Sequence, residues 1–319
     1  MRADRRALSR SRSRSARQAI KPSEERESDL ATIKVEPSFE RLRISLPSLS
    51  QNTCCPDWQD GYNLGMDDLS GAERFRRLSA EEQARYLAIN RQMVAFARDR
   101  AVPIIFAPPV SVGGKINGAS GCVIQLGPHA FVVTASHVLS GYEERVQAGE
   151  VLNWQVGNLA PFDPLPRVAW RNKERDIVLL EIGKDEAHNI GPCTISALGV
   201  WPPPIPKVGQ LVLVGGYPKS LREEALAPGW IGAGPYSAIF RVTLAGETNF
   251  KCAIERGDLI SFDGPLPVSG TDMGGLSGGP VLPVDPLSYP LVGIVTDRCE
   301  ICLADFEIIE VAALAGVKL

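Results

Sequence analysis

Several features that commonly indicate a function are scarce in this sequence. No apolar run approaches the roughly 20 residues that a transmembrane helix requires, so no membrane span is expected. Only three histidines occur among 319 residues, which leaves few candidates for a site that depends on an imidazole. The formal charge of -3 is close to neutral, and 44% of the residues are hydrophobic. This composition is typical of an ordinary soluble globular protein.

Cysteine is also sparse, and its number is odd. The seven cysteines are Cys54, Cys55, Cys122, Cys193, Cys252, Cys299 and Cys302. An odd count, with no apolar segment typical of a secretory signal near the N-terminus, favours a reducing compartment, and we expect a cytoplasmic protein. Cys299 and Cys302 form a CxxC pair, but no second well-spaced pair completes the four ligands of a zinc site. We interpret this pair as incidental or as a local redox pair, without a metal.

The first twenty residues contain almost no acidic side chains. They hold seven arginines against the single acid Asp4, and residues 9–15 alternate serine and arginine. This composition predicts a disordered basic tail within a poorly ordered segment 1–69. An alternative interpretation is a weak contact with nucleic acid, acidic lipid or an acidic partner. An arginine-rich and serine-rich start also fits an organelle transit peptide.

A glycine-rich bend near the C-terminus carries the most specific motif. Residues 274–280 read Gly-Gly-Leu-Ser-Gly-Gly-Pro and place Ser277 among four glycines. A serine hydroxyl is a weak nucleophile at neutral pH unless a base and an orienting acid can reach it. Glycines permit a backbone in which the N–H groups of Gly275 and Ser277 point together at a developing oxyanion. The simpler alternative is a β-turn whose serine hydrogen-bonds locally.

A candidate base and a candidate acid lie upstream of this bend. His137 follows the strand-like residues 131–135, whereas His129 lies in a Gly-Pro-His turn and His188 in a predicted solvated loop. Asp176 precedes the apolar residues 177–182, which would bury it at a strand edge beside the base. There it could fix the tautomer of His137 and stabilise the imidazolium. The alternatives are a histidine satisfied within the core and an aspartate that begins a turn.

The order of these three residues excludes two other architectures. The sequence around Ser277 also satisfies G-x-S-x-G, but α/β-hydrolases need their histidine after the serine, and no histidine follows Ser277. A subtilisin-type site needs its aspartate before the histidine and a fold built of βα repeats. The order His137, Asp176, Ser277 is the order of the chymotrypsin triad.

These segments resemble the signatures of trypsin-like (chymotrypsin-fold) serine peptidases. The signatures are residues 132–137, 176–180 and 275–280. Residues 291–296 are similar to the strand that lines the primary specificity pocket in that family, and residues 118–124 to the strand leading toward its histidine. The resemblance spans about residues 103–310.

The resemblance implies a mainly β fold with two packed six-stranded β-barrels and the triad in the cleft between them. The peptidase domain would cover residues 101–319, with a first barrel at about 101–200 and a second at about 207–310. Short apolar runs between glycine and proline turns independently indicate an all-β barrel or sandwich. The proline-rich residues 201–206 suit a connection between the barrels, because proline has no N–H to contribute to a central strand.

The sequence departs from the digestive members of the family at two positions. Leu276 replaces the aspartate that pairs with a new N-terminus after zymogen cleavage, so activation by that ion pair is not expected. Val138 replaces the cysteine that follows their histidine, so the neighbouring disulfide is absent. In both respects the chain is more similar to bacterial members of the HtrA type. About 40 residues follow Ser277, too few for the PDZ domain that HtrA proteins append.

The resemblance implies a serine endopeptidase that acts on proteins or peptides and requires no cofactor. Ser277 would attack, His137 would act as base, Asp176 would orient the base, and the N–H groups of Gly275 and Ser277 would bind the oxyanion. The specificity pocket is predicted to involve Thr271, Asp272, Met273, Thr296, Asp297 and Arg298. Asp272 would favour a basic substrate side chain and Arg298 an acidic one. The alternatives are a silent binding scaffold with this fold and an esterase using the same triad.

Residues 70–100 predict a helical extension. Ser79 and Glu82 form the pattern of a capping box, and apolar residues then recur at helical spacing. We expect this helix to pack outside the first barrel or to cover the cleft as a lid.

Overall fold

The short apolar runs of the sequence fold into strands, and the computed structural model is mainly β. It describes residues 34–36, 71–190, 194–196, 201–224, 230–255, 273–284, 290–299, 306–315 and 317. The basic tail, Cys54, Cys55 and the predicted pocket residues Thr271 and Asp272 lie outside the described residues. All described residues belong to one unit, Ala31–Leu319.

The first sheet contains the strands from Ala101 to Ser196, which precede the proline-rich residues 201–206. They are β2 (Ala101–Ala107), β3 (Asn117–Leu126), β4 (His129–Ala135), β5 (Asn153–Val156), β6 (Val168–Asn172), β7 (Ile177–Ile182) and β8 (Thr194–Ser196). The antiparallel order is β5-β2-β3-β4-β7-β6, and β8 runs parallel to β3. The expected six strands are therefore seven, and within the described residues their pairings form an open path. Every residue of β2 is buried, because the sheet packs on both faces.

Two helices connect strands of the first sheet. They are α3 (Ser136–Gln147), which follows β4 directly, and α4 (Lys184–Ile190), which follows β7. His188 lies in α4, so the predicted loop at this position is wrong.

The second half forms a closed barrel of six strands, which confirms this part of the predicted fold. The strands are β9 (Leu211–Gly216), β12 (Tyr236–Ala245), β13 (Asn249–Glu255), β14 (Pro280–Pro283), β15 (Gly293–Cys299) and β16 (Phe306–Ala313). They close in the order β12-β13-β16-β15-β14-β9. Phe240, Phe250 and Cys252 lie in its core, where burial raises the pKa of the Cys252 thiol to about 12. This cysteine is therefore a packing residue rather than a reactive thiolate.

A small third sheet joins one strand near the N-terminus to a hairpin that lies between β9 and β12 of the barrel in sequence. Its strands are β1 (Lys34–Glu36), β10 (Arg222–Glu224) and β11 (Trp230–Ala233). β11 pairs in parallel with β1 and antiparallel with β10. Ala233 is buried against Ile105 and Ala107 of β2, so this hairpin is fastened to the first sheet.

The N-terminal extension consists of α1 (Gly71–Arg77) and α2 (Ala80–Arg98). The predicted capping box is formed: Ser79 N–H donates to Glu82 Oε2 at 2.8 Å, and Glu82 N–H donates to Ser79 Oγ at 3.3 Å. The hydrogen bonds from Ser79 lower the pKa of Glu82. The main partner of α2 is the closed barrel through β9, β12 and β14. The sequence predicted either packing outside the first barrel, which is wrong, or a lid over the cleft, which stays a prediction. None of the helices within the described ranges contains an apolar stretch of the length that a bilayer span requires.

Candidate active site

The carboxylate of Asp176 joins the end of β4 to the start of α3. Ala135, the N-cap of α3, has no side chain that can satisfy the first N–H groups of the helix. Asp176 supplies acceptors for two of these groups: its carbonyl accepts from Ser136 N–H at 3.1 Å, and its Oδ1 accepts from His137 N–H at 2.7 Å. Its second oxygen, Oδ2, lies 2.7 Å from His137 Nδ1. One carboxylate therefore caps a helix and orients an imidazole.

The register of two strands brings these residues together. β4 and β7 pair antiparallel with Ala135 opposite Ile177, so the residues just beyond, Ser136 and Asp176, also meet. Asp176 has a φ of 56°, the one positive φ of a non-glycine residue among those described. Aspartate tolerates this left-handed conformation better than most residues with a Cβ. Such strained positions are enriched at functional sites.

Two arginines fix the segments that carry His137 and Asp176. The Arg171 guanidinium donates to Ser136 Oγ at 2.8 Å, Ser140 Oγ at 2.8 Å and Glu143 Oε1 at 2.7 Å, which fastens α3 to β6. Arg175 Nη1 donates to the carbonyl of Ala315 at 2.7 Å. The turn that carries Asp176 is thus tied to the segment that follows β16.

Ser277 lies in a tight bend that leads into β14. Leu276 N–H donates to Met273 O at 3.1 Å, and Gly279 N–H donates to Leu276 O at 2.9 Å. Gly278 has a φ of 86°, and a Cβ there would collide with Ser120 O and Thr134 Oγ1. Both the backbone angle and the close approach therefore require glycine at this position.

The bend is fastened to the first sheet through Ser120 of β3. Ser120 N–H donates to Ser277 O at 2.9 Å, and Ser120 Oγ donates to Gly275 O at 2.7 Å. Ser120 O accepts from Thr134 Oγ1 at 2.7 Å, and Thr134 lies three residues before His137. The Ser277 bend and the strand leading to His137 therefore both bond to Ser120, which brings them close together. Ser120 is not among the residues predicted from the sequence, although the small residues 118–121 inside a strand indicate a close approach of another backbone.

Leu276 and four of the predicted pocket residues lie among the described residues. Leu276 is buried, as expected of a residue that packs in place of an ion pair. Met273 is buried, and its Sδ accepts from Ser220 Oγ at 3.9 Å. Thr296 Oγ1 donates to Glu310 O at 3.3 Å. Asp297 and Arg298 lie on β15 opposite residues of β16.

Two further observations concern histidine and metal ligands. His129 Nδ1 lies 3.0 Å from Glu181 Oε1 at an exposed position on β4, at the opposite end of that strand from His137. Within the described ranges, no group of three or more His, Cys, Asp or Glu side chains is arranged to hold a metal ion.

A family model described as a trypsin-like peptidase domain matches residues 119–294, more than half of the chain. The solved structures to which the chain is similar include three proteases. A protease from M. tuberculosis in its active form is 20% identical, with 71% of this chain and 81% of that chain covered and a TM-score of 0.41. The thermostable serine protease AL20 from an extremophilic microorganism is 15% identical, with 69% and 93% covered and a TM-score of 0.40. The protease Anisep from Arthrobacter nicotinovorans is 14% identical, with 68% and 90% covered and a TM-score of 0.39. No curated protein matches the chain.

Proposed function

Because the chain belongs to the trypsin-like peptidase family, we propose that it is a serine endopeptidase with Ser277 as nucleophile, His137 as base and Asp176 as orienting acid. The observation that carries this proposal is the pair of 2.7 Å contacts from one carboxylate to the backbone N–H and the Nδ1 of His137. A helix cap alone would need one carboxylate oxygen. The second oxygen, aimed at the ring, is what catalysis requires.

The contact with Asp176 sets the tautomer of the base. Nδ1–H donates to the carboxylate, which leaves Nε2 as the basic nitrogen. Nε2 takes the proton of the Ser277 hydroxyl while Oγ forms a bond to the substrate carbonyl carbon. The resulting imidazolium is stabilised by Asp176 and gives its proton to the leaving amine as the peptide C–N bond breaks. Water then hydrolyses the acyl-enzyme by the same steps, and no cofactor takes part.

The fixed peptide planes of the bend support an oxyanion hole at Gly275 and Ser277. In a trans peptide the N–H points opposite to the C=O of the preceding residue. Gly274 O accepts from Lys219 N–H at 2.5 Å, which directs the Gly275 N–H the other way. Leu276 O accepts from Gly279 N–H, which does the same for the Ser277 N–H. These two N–H groups are the proposed donors, and losing one such donor typically costs about 10²–10³ in rate.

The acyl-side pocket is proposed at Thr271, Asp272, Met273, Thr296, Asp297 and Arg298. Changing Arg298→Ala and profiling a peptide library tests the role of that arginine. An unchanged preference would exclude it.

The proposed function is tested by labelling the full chain with a fluorophosphonate probe. We expect labelling of the wild type and none of Ser277→Ala or His137→Ala. Turnover of matched peptide and ester substrates then separates a peptidase from an esterase. Absence of labelling in a folded wild type, or labelling that persists in Ser277→Ala, would contradict the proposal.

A further inference from the structure

We propose that α2 is a positioning element of the active site: its last turn, packed on Gly215 of β9, holds the Ser277 bend in the shape that catalysis requires. The enzyme is then active only while this helix is docked on the barrel. The inference rests on the proposed function and names what controls the same site. It is carried by two adjacent glycines of β9, where only the strand backbone separates the helix from the bend.

Gly215 lies against the last turn of α2. A Cβ on Gly215 would collide with the carbonyl oxygen of Ala97 and lie 2.9 Å from its carbonyl carbon. Ala97 is fully buried in the same apolar cluster as Leu213, which lies two residues before Gly215 on β9. Side chains two residues apart in a strand point to the same face. The helix therefore covers the face of β9 that carries Leu213.

Gly216 lies against the bend on the opposite face of β9, because successive residues of a strand point to opposite faces. A Cβ on Gly216 would lie 2.5 Å from Leu276 Cδ1 and 2.8 Å from Ser120 Oγ. Leu276 is buried in the core of the barrel and stands between the two proposed oxyanion donors, Gly275 and Ser277. The helix and the bend thus contact one strand from its two faces, at two positions where the strand carries no side chain.

The carbonyl of Gly215 also reaches the bend directly. A Cβ on Gly279 would collide with Gly215 O. Gly279 N–H donates to Leu276 O at 2.9 Å, the bond that sets the direction of the Ser277 N–H in the proposed site. A displacement of Gly215 therefore moves Gly279, and with it the proposed oxyanion donor at Ser277.

The same helix end is fixed to the first sheet. Arg100, which lies between α2 and β2, folds back over the helix with its Cζ 3.3 Å from the centroid of the Phe96 ring. Pro103 of β2 pairs with Ser120, whose N–H and hydroxyl both bond to the bend. The last turn of α2 thus lies between the first sheet and the closed barrel. A shift of the helix would change the position of the bend relative to His137.

The test moves α2 away from β9 by substitutions outside the bend. Gly215→Ala adds a methyl group on the helix side of β9, and Ala97→Leu enlarges a fully buried residue of the helix. In each variant of the full chain we expect kcat to fall by about 10²-fold, the lower value for the loss of one oxyanion donor. KM should change less than about threefold, because the lost interaction acts in the transition state. The two effects should not add in the double variant, since both act through one displacement.

Gly246→Ala is the matched control on the same barrel. Gly246 lies in the hairpin between β12 and β13, where an added Cβ would meet Asn249. This variant should keep the kcat of the wild type. An unchanged kcat in both helix variants would overturn the inference, and a higher kcat/KM in both would show instead that α2 covers the cleft as a lid.

Hydrogen exchange followed by mass spectrometry keeps this inference separate from the proposed function, because it needs no turnover. We expect faster exchange in peptides covering residues 275–279 of Gly215→Ala and of Ala97→Leu, with exchange in β5 and β7 unchanged. This result supports the inference even if the wild type hydrolyses no peptide, which would contradict the peptidase alone. Exchange at the bend equal to that of the wild type would overturn the inference. An equal rise in all strands would do the same, because it would show that the contact only supports the fold.

Discussion

The two halves of the candidate site are held in different ways. The first sheet positions His137 and Asp176 with side chains: the carboxylate of Asp176 and the guanidinium groups of Arg171 and Arg175. The closed barrel positions Ser277 with backbone: glycines at positive φ, turned carbonyls and close approach to Ser120. We therefore expect the geometry around His137 to be lost when a side chain is removed, and the geometry around Ser277 to be lost when a side chain is added.

The largest expected effect comes from removing one charge in the first half. Asp176→Asn keeps a helix-capping oxygen but can hold His137 in the wrong tautomer, and kcat should fall by about 10⁴. Steady-state kinetics on a peptide substrate measures this. Stability in denaturant should change by no more than about 1 kcal/mol, the value of a helix cap. A fall in kcat below tenfold would remove Asp176 from the proposed triad.

The next effect comes from adding one methyl group to the second half. Gly278→Ala imposes strain at φ 86° and a collision with Ser120 O, and should lower the free energy of unfolding by about 2–4 kcal/mol. Activity should also be lost, because the bend must move. Urea denaturation with a parallel assay measures both.

Gly127→Ala is the matched control for that collision. Gly127 has a φ of 58° but nothing within 4 Å of an added Cβ. It should therefore cost only the conformational strain, about 1–2 kcal/mol, with activity retained. Equal costs at the two glycines would mean that the close approach to Ser120 is not important.

A smaller effect is expected where the halves meet. Ser120→Ala removes the hydroxyl that donates to Gly275 O and accepts from Tyr217 N–H at 2.8 Å. We expect a loss of about 1–3 kcal/mol in stability and a kcat about tenfold lower with KM little changed. Ser140→Ala, which removes a hydroxyl on α3 bonded to Arg171, should leave the Ser277 bend intact and label normally with the probe.

The smallest effect is a pH dependence confined to the side-chain half. Hydrogen bonds from Arg167 lower the pKa of Glu186, which also accepts from Gly183 N–H at the start of α4. The pKa of Glu186 is lower in the folded protein than in the unfolded chain. Its contribution to the free energy of unfolding is therefore fully present above the unfolded pKa and is lost as the pH falls through the folded pKa. In urea denaturation at a series of pH values, Glu186→Gln should reduce the loss of unfolding free energy at acid pH by about 0.5–1 kcal/mol. An acid limb identical to that of the wild type would contradict this.

The local parts of this structure were predictable from sequence, and the long-range parts were not. The capping box at Ser79 joins residues three apart, and the strand-forming runs are contiguous, so pattern alone indicated both. Helix α3 was missed because its N-cap, Ala135, carries no capping side chain; the acceptors come from Asp176, 39 residues away from His137. Ser120 contacts Gly275 across 155 residues, and no local pattern encodes such a pair.

Pattern also misplaced the partner of α2. Its apolar positions predicted that one face of the helix packs against another element, but they did not identify that element. The contact with β9 depends on Gly215, whose missing side chain lets the strand approach the carbonyl of Ala97. Nor could the number of strands in the first sheet be obtained from spacing, because β8 joins β3 in parallel from a distant segment.

The hydrogen bond from Arg175 to Ala315 has a consequence for protein synthesis. The ribosome makes the turn that carries Asp176 some 140 residues before it makes the carbonyl that anchors it. β16, which pairs with both β13 and β15 to close the barrel, is also made after Ser277. A nascent chain can thus contain all three proposed triad residues while these supports are still missing. Translation order alone would delay assembly of the proposed site until the barrel is nearly closed, so an unfinished chain would not yet cleave peptides.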